Sequence, residues 1–454
     1  MQSSKGVYIK TYGCQMNFYD SERMEELLKD IGFKPVDLMQ DAEVIVLNTC
    51  HIREKASEKV FSELGRVKHI KQERENNGQK TLIAVAGCVA QAEGEEIIKR
   101  APFVDVVLGP ESYHNLPDLV CSILRDGKAI TNLDFTPEEK FDTLTNIRKS
   151  RGYSAFVTIQ EGCDKFCTFC VVPYTRGAEF SRPVVSIFEE VQSLCKTGTV
   201  EVTLLGQNVN AFHGLDKDKK EISLAGLIRH LSQIEELKRI RFVTSHPNNV
   251  TQDLIDEYKN NPKLMPYLHL PVQSGSNAIL KAMNRKHTRD SYIKLIEKFR
   301  EARSDICLSS DFIVAFPGET EEDFNDTIDL VNKAQFSQSY SFKYSPRPGT
   351  PAALKETVNE GIANERLQEL QKLLSKQQKA YNESFIGKTI DVLFEARSPK
   401  ASKEFNQITG KSPYLQAVSV VLPKDVNPQD YFGKIVQVKI TEAKENTLVG
   451  ILEI

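Results

Sequence analysis

Strand-like and helix-like hydrophobic patterns alternate along most of this chain. Residues 7–13 read as a strand running into Cys14, and 19–30 as an amphipathic helix. Short apolar runs at 44–47, 82–86 and 104–108 follow, with helical stretches between them and a further helix at 116–124. Brief apolar runs bounded by turn residues and separated by helices predict a parallel, doubly wound sheet. Residues 126–152, with Gly127, Pro137 and the basic end Arg148-Lys149-Ser150-Arg151-Gly152, read as a linker. The alternation then resumes. Strands are predicted at 155–160, 200–205, 240–244, 267–270, 307–314 and 339–344. Helices are predicted at 187–195, 224–234, 252–259, 277–283, 289–302 and 321–334. Six βα repeats predict a partial barrel. Residues 361–384 form one helical pattern, and after Gly387 short strands at 389–395, 414–421, 434–441 and 447–454 predict a small β-barrel. The expected fold class is α/β: an N-terminal doubly wound parallel sheet (1–125), a linker (126–152), a central (β/α)6 partial barrel (153–360), a bridging helix (361–384) and a C-terminal small β-barrel (385–454).

Composition narrows the function classes. A formal net charge of -3 over 454 residues leaves no broad electrostatic footprint of a nucleic-acid binder, so any RNA contact must be local. Acidic and basic residues nearly balance in the last barrel as well. The N-terminus lacks the apolar run of a signal peptide and no stretch approaches a membrane span, so a cytoplasmic protein without membrane contact is expected. Nine cysteines in such a chain are not expected to form disulfides. Cys121, Cys195 and Cys307, each among apolar neighbours, read as buried small hydrophobes.

The other six cysteines carry chemistry. Cys163, Cys167 and Cys170 are separated by three and then two residues. Three thiolates at this spacing can hold three corners of a 4Fe-4S cube and leave the fourth iron open; a zinc site or a disulfide pair is the plainer reading. Cys14, Cys50 and Cys88 each end a successive strand, 36 and 38 residues apart. In an open α/β sheet those ends share the ligand-binding edge, so a second open three-cysteine cluster competes with three unrelated buried cysteines. The barrel's strand ends carry amides, hydroxyls and glycines: Gly206-Gln207-Asn208-Val209-Asn210, Ser245-His246-Pro247, Pro271-Val272-Gln273-Ser274-Gly275-Ser276 and Ser309-Ser310-Asp311. Such a rim can hydrogen-bond a ribose, a carboxylate and a base edge.

The Cys163–Cys170 run with Phe169 before its last cysteine, followed by Val171-Val172-Pro173-Tyr174-Thr175-Arg176-Gly177, resembles the cluster loop of radical S-adenosylmethionine enzymes. With Thr11-Tyr12-Gly13-Cys14-Gln15-Met16-Asn17, Asn48-Thr49-Cys50 with Arg53-Glu54-Lys55-Ala56, and Gly87-Cys88-Val89-Ala90-Gln91, the chain resembles the methylthiotransferase family over essentially its full length. The last domain resembles a TRAM domain, an RNA-binding module. The resemblance implies that Cys163, Cys167 and Cys170 hold the 4Fe-4S cluster that binds and cleaves S-adenosylmethionine. It also implies that Cys14, Cys50 and Cys88 hold an auxiliary 4Fe-4S cluster that delivers sulfur. Phe169, Gln207, Asn208, Ser245, Gln273, Ser310 and Asp311 are then expected to bind the cofactor.

The implied reaction is methylthiolation of carbon 2 of N6-isopentenyl (dimethylallyl) adenosine at position 37 of tRNA. It consumes two S-adenosylmethionine, one as radical source and one as methyl donor. Threonylcarbamoyl adenosine or a ribosomal protein side chain are the alternative substrates, and a non-catalytic iron–sulfur RNA-binding protein is the plainest alternative. Implied partners are the tRNA anticodon stem-loop, an electron donor such as flavodoxin or ferredoxin and a sulfur or cluster donor, with the enzyme a monomer. Arg176, Arg285, Lys286 and Arg347 are candidate anticodon contacts near the rim. His51 reads as an ordinary surface histidine.

Overall fold

The computed structural model describes residues 5–50, 56–399 and 406–453; His51 and Arg53-Glu54-Lys55 lie outside the described residues. The chain forms two units. The first comprises Met1–Thr145, Gln160–Asp164 and Cys170–Phe180, and the second Asn146–Ile159, Lys165–Phe169 and Ser181–Ile454.

The first unit is built on a six-stranded sheet: β1 (Lys5–Thr11), β2 (Phe33–Pro35), β3 (Val44–Thr49), β4 (Leu82–Gly87), β5 (Val106–Leu108) and β6 (Ile130–Asn132). Their order is β2-β1-β3-β4-β5-β6, with every neighbour pair parallel. Every residue of β3 and β4 is buried, as expected of strands covered on both faces. Val44 and Val46 pack with Met24 and Leu28 of the helix Gln15–Asp30 and with Val120 and Ile123 of Leu116–Asp126. Ile45 and Leu47 point the other way, onto Val60, Leu64 and Val67 of Ala56–Asn76.

Several details depart from the sequence reading. The first helix begins at Gln15, directly after Cys14, rather than at Tyr19. Residues 126–152 are more than a linker, because they supply β6 and the short helix Pro137–Thr143, whose Lys140 and Phe141 are buried. A three-residue strand and a two-turn helix carry too little periodicity to stand out. Arg148, read as part of a solvated basic end, is buried and donates to Glu190 Oε1 at 2.8 Å. Cys121 is exposed, because Leu116, Val120 and Ile123 take the inward face of their helix; Cys195 and Cys307 are buried as expected.

In the second unit six strands run parallel: β7 (Ser154–Thr158), β8 (Glu201–Leu205), β9 (Arg239–Phe242), β10 (Tyr267–His269), β11 (Cys307–Val314) and β12 (Gln338–Lys343). They form two three-stranded sheets, β9-β8-β7 and β10-β11-β12, and an isolated parallel bridge joins Ile240 to Leu264 at the seam. This is the expected (β/α)6 partial barrel, its outer face packed by one large cluster that includes Ile187, Leu227, Tyr258, Phe299 and Leu330. The helix Glu360–Glu383 lies along β12. Gln377 Oε1 accepts the N–H of Phe336 at 3.0 Å, and Lys343 Nζ donates to Asn364 Oδ1 at 2.8 Å.

The last 70 or so residues close into a five-stranded barrel, β13 (Thr389–Arg397), β14 (Gln407–Lys411), β15 (Ala417–Val421), β16 (Ile435–Ala443) and β17 (Thr447–Leu452), in the order β13-β14-β15-β17-β16. The sequence reading lacked β14. This barrel is fastened to the starts of β8 and β9 by buried arginines. Arg239 donates to the carbonyls of Lys411 (2.9 Å) and Asp391 (3.1 Å), and Arg241 to those of Ser412 (2.8 Å) and Pro413 (2.6 Å) while pairing with Glu201 at 2.9 Å. Among the described residues no helix is long and apolar enough to cross a membrane.

Candidate functional site

In the first unit, β1 and β3 are sheet neighbours at the point where the strand order reverses, which is where open α/β sheets take ligands at their carboxyl ends. Cys14 follows β1, Cys50 follows β3 and Cys88 follows β4. The local sequence makes room for them. Gly13 has φ +106°, and a Cβ there would lie 2.7 Å from Cys50 Sγ; Gly87 has φ +90°, and a Cβ there would lie 2.4 Å from the Thr49 carbonyl. Only glycine tolerates both the backbone angle and the approach. Cys14 occupies the N-cap of the helix Gln15–Asp30. Its thiol donates to Asn17 Oδ1 at 3.5 Å, and Asn17 Nδ2 returns to the Tyr12 carbonyl at 3.0 Å. Asn48 Nδ2, at the end of β3, donates to the Asn17 carbonyl at 2.8 Å and to Ser21 Oγ at 2.9 Å. Asn17 and Asn48 are fully buried and lock the Cys14 turn against β3.

The electrostatics separate the thiols. A hydrogen bond with Cys50 is the main force drawing Cys14 down to about 6; burial opposes it, and the Arg176 guanidinium helps. Burial pushes Cys88 up, and Arg176 offsets part of that. Arg176 is not a rim residue available to RNA. It is 4% exposed, its Nη2 is 2.7 Å from Asp20 Oδ2, and its Nη1 is 3.6 Å from Glu161 Oε2. Glu161 also meets Lys140 Nζ at 2.5 Å, and Lys140 lies 3.3 Å from Glu111. Burial, then the neighbouring Glu161, drives Glu111 well above the carboxylate range, so it is the protonated partner. Burial opposes ionisation of Glu161, yet Lys140, the Glu111 hydrogen bond and Arg176 hold it at about 2. Two carboxylates, Asp20 and Glu161, thus balance two cations, Arg176 and Lys140.

The loop of Cys163, Cys167 and Cys170 follows β7. Gly162 has φ +72°, and a Cβ there would fall 1.8 Å from the Ala178 carbonyl oxygen. The N–H of Cys163 donates to the Gly177 carbonyl at 3.3 Å, which folds the following segment back over the first cysteine. In the second unit Thr168 is held on three sides. Its N–H donates to Met283 O (3.1 Å), its hydroxyl to Ala282 O (2.9 Å), and its carbonyl accepts the N–H of Ala352 (2.9 Å). Phe169 packs edge-on against Phe316, ring centroids 6.4 Å apart, beside Ile279, Met283 and Ala352. Arg285, read as a surface contact for RNA, is buried. Its Nη1 is 3.8 Å from Cys167 Sγ, and its Nη2 donates to the Pro271 carbonyl. Lys286 is exposed and Arg347 half-buried.

None of the six cysteines is in a disulfide. Among the described residues no three His, Cys, Asp or Glu side chains stand ready at metal-ligand separations. The donor chemistry suits iron–sulfur clusters nonetheless: each set offers three thiolates, and the glycines beside Cys14, Cys88 and Cys163 leave space that any Cβ would fill.

The barrel rim shows its own signature. Thr244, Gln273 and Ala315, just past the ends of β9, β10 and β11, have φ of +66°, +76° and +57°. Non-glycine residues in this region are strained and cluster at functional sites. The expected cofactor residues fall into two groups around them. Gln207 is half-buried, Ser245 Oγ is buried without a hydrogen-bond partner among the described residues, and Asp311 Oδ2 is 3.5 Å from His269 Nε2. These three offer polar atoms at the strand ends. Ser310 and Asn208 instead hold the frame. Ser310 Oγ accepts the N–H of Val272 at 2.9 Å, and Asn208 Nδ2 donates to Asn249 Oδ1 at 3.3 Å. The Gln273 backbone bridges β11, donating to Asp311 O and accepting from Ile313 N, both at 2.9 Å.

Sequence reasoning missed His287, Lys140, Glu111 and Asp20; nothing in their local sequence distinguishes them from solvated charges. His287 and His246 are buried with their rings 5.9 Å apart. Burial, then the Arg285 charge, pulls them down to about 3 and about 2. Their folded values lie below the unfolded 6.5, so their contribution is complete above pH 6.5 and is lost as pH falls below it. The loss is about 1.4 kcal/mol per histidine per pH unit. We expect His287→Leu to lower the slope of unfolding free energy against pH between 6.5 and about 4.5 by up to about 1.4 kcal/mol per pH unit; an unchanged slope in denaturant titrations would exclude this histidine as a source.

Three family models match the chain: the uncharacterized protein family UPF0004 over residues 6–109, the radical SAM superfamily over 157–331 and the TRAM domain over 383–452. The tRNA-2-methylthio-N(6)-dimethylallyladenosine synthase of Rickettsia bellii (strain RML369-C) is 56% identical over 449 residues, 98% of this chain and 99% of that one. The enzyme of the same name from Rickettsia rickettsii (strain Sheila Smith) is 55% identical over the same extent, 98% and 99%. Among solved structures, the radical S-adenosylmethionine methyltransferase TsrM from Kitasatospora setae, with cobalamin and a [4Fe-4S] cluster bound, matches with a TM-score of 0.57 at 13% identity, over 78% of this chain and 74% of that chain. The cobalamin-dependent S-adenosylmethionine radical enzyme OxsB matches with a TM-score of 0.53 at 12% identity, over 82% and 56%. At these identities the two structures share the fold alone.

Proposed function

The chain belongs to the methylthiotransferase family of radical S-adenosylmethionine enzymes, and we propose that it methylthiolates carbon 2 of N6-isopentenyl adenosine at position 37 of tRNA. The observation that carries this is the presence of two three-cysteine sets outside any disulfide, together with full-length identity of 56% to enzymes named for that product. Enzymes of this family bind two 4Fe-4S clusters and S-adenosylmethionine. When bound, these supply one-electron cleavage of S-adenosylmethionine and the sulfur and methyl group to be transferred, chemistry that an inert aromatic C–H requires and side chains cannot provide.

The chain's own residues bind and orient. Cys163, Cys167 and Cys170 would hold the cluster that receives S-adenosylmethionine, with Arg285 donating to Cys167 and Thr168 fixing the loop. Cys14, Cys50 and Cys88 would hold the auxiliary cluster on the sheet edge, framed by Asn17 and Asn48. Gln207, Ser245, Asp311 and Phe169 are offered to the cofactor, while Ser310, Asn208 and the Gln273 backbone keep the strand ends in register. The terminal barrel matches the TRAM model and is the part we assign to tRNA. Residues 1–125 would serve sulfur delivery and 153–360 radical generation. The enzyme would work in the cytoplasm as a monomer, with a flavodoxin or ferredoxin as electron donor and a separate sulfur donor.

Anaerobic assays with reductant, S-adenosylmethionine and tRNA carrying the isopentenyl group test the proposal. The 2-methylthio nucleoside should be seen by mass spectrometry after digestion. Product from threonylcarbamoyl-modified tRNA or from ribosomal protein, and none from the isopentenyl substrate, would overturn it.

A further inference from the structure

We infer that Arg176 is a positioning residue for the auxiliary centre: its buried guanidinium, anchored on the Asn17 amide that holds Cys14, makes a cluster bound at Cys14, Cys50 and Cys88 easier to reduce. The inference rests on the assignment of Cys14, Cys50 and Cys88 to that cluster. Arg176 Nη2, 2.7 Å from Asp20 Oδ2, is also 3.4 Å from Asn17 Oδ1, the atom that accepts from the Cys14 thiol. Cys14 and the guanidinium therefore share one acceptor. The buried charge of Arg176 therefore stands one amide oxygen away from the Cys14 thiol. Its backbone is fixed as firmly. The short helix Val172–Thr175 packs against Cys88–Glu93, and the N–H of Arg176 closes that helix on Val172 O at 2.8 Å. The next residue, Gly177, accepts the N–H of Cys163. One side chain thus stands on the segment that covers the first cysteine of one loop and reaches the Asn17 amide that holds Cys14 of the other set.

The other buried cation in this network, Lys140, is committed to Glu161 and Glu111. Arg176 is balanced by Asp20 on one side and reaches the Asn17 amide oxygen beside Cys14 on the other. A cluster gains one negative charge on reduction. A fixed cation in a water-poor setting favours that state. The planar guanidinium serves the Asp20 carboxylate and the Asn17 amide oxygen together from a fixed geometry, which a point-charge ammonium on a flexible stem does less well.

The test uses full-length protein, reconstituted anaerobically, with iron counts and EPR-monitored redox titration. Arg176→Gln should keep about eight irons and lower the reduction equilibrium constant of the auxiliary cluster at least tenfold, a negative shift of about 59 mV for one electron. Arg176→Lys should recover part of that shift, and Asp20→Asn should move the potential the opposite way. The cluster on Cys163, Cys167 and Cys170 should titrate as in wild type. If the glutamine variant loses its iron, the lysine and asparagine variants decide by the sign of their shifts. Unmoved auxiliary potentials with full iron content would overturn the inference and leave the cluster assignment intact. About four irons in the wild type would remove the auxiliary site itself, and the inference with it.

Discussion

Alanine in place of any one of Cys163, Cys167 and Cys170 is expected to abolish reductive cleavage of S-adenosylmethionine, read as 5′-deoxyadenosine released under dithionite. Three thiolates leave one iron of a cube open; with two, the cluster is underligated. Iron should fall from about eight to about four per chain with the auxiliary centre left in place. The triple variant of Cys14, Cys50 and Cys88 should show the same loss of iron but the opposite division of activity: cleavage persists and methylthiolation stops. Normal cleavage in a single Cys163, Cys167 or Cys170 variant would sink the assignment of the radical site, and methylthiolation by the triple variant that of the auxiliary site.

Lys140→Met should cost about 3–5 kcal/mol of stability, the range found when one partner of a buried ion pair is removed. Lys140 is fully buried, faces Glu161 at 2.5 Å and lies over the Tyr113 and Phe141 rings at 4.9 and 4.6 Å. Without it the Glu161 carboxylate keeps Arg176 but loses the largest of its attractive partners, and burial then favours its protonated form. In the wild type the Glu161 contribution is present above the unfolded value near 4.5 and is lost as pH falls toward about 2. In the variant, protonation relieves the unpaired charge, so the gap to wild type should narrow as pH drops from 7 to 5. Chemical denaturation at the two pH values measures this. A deficit under 1 kcal/mol, or one that widens at low pH, would show that the network tolerates loss of its cation.

Local patterns made the alternation of strand and helix, the parallel sheet and the partial barrel legible. A short apolar run buried on both faces, such as 44–49, reads as a strand, and Cys-x3-Cys-x2-Cys gathers three thiols within eight residues. What stayed hidden was where the long charged side chains end. Arg176, Arg285 and Arg148 look like solvated charges along the chain, and only tertiary packing turns each toward a buried carboxylate, thiol or carbonyl. Lys140, in a run of acidic residues, gave no sign of being a core residue. Elements of three residues, such as 33–35 and 130–132, are set by the register of their neighbours rather than by their own pattern. Cys121 shows the converse error, an apolar neighbourhood taken for burial when the helix turns that residue outward.

The helix Glu360–Glu383 bears on how the barrel survives in a crowded solution. Six strands do not close a barrel, so β12 ends the sheet with one side of its backbone unpaired. An open strand edge is a template for pairing with another chain, and it invites aggregation. The helix lies along that edge, takes the Phe336 N–H with Gln377 and ties down Lys343. What reads as a connector between two domains is therefore also a guard against self-association, and a barrel separated from it would carry a sticky margin that the intact chain keeps covered.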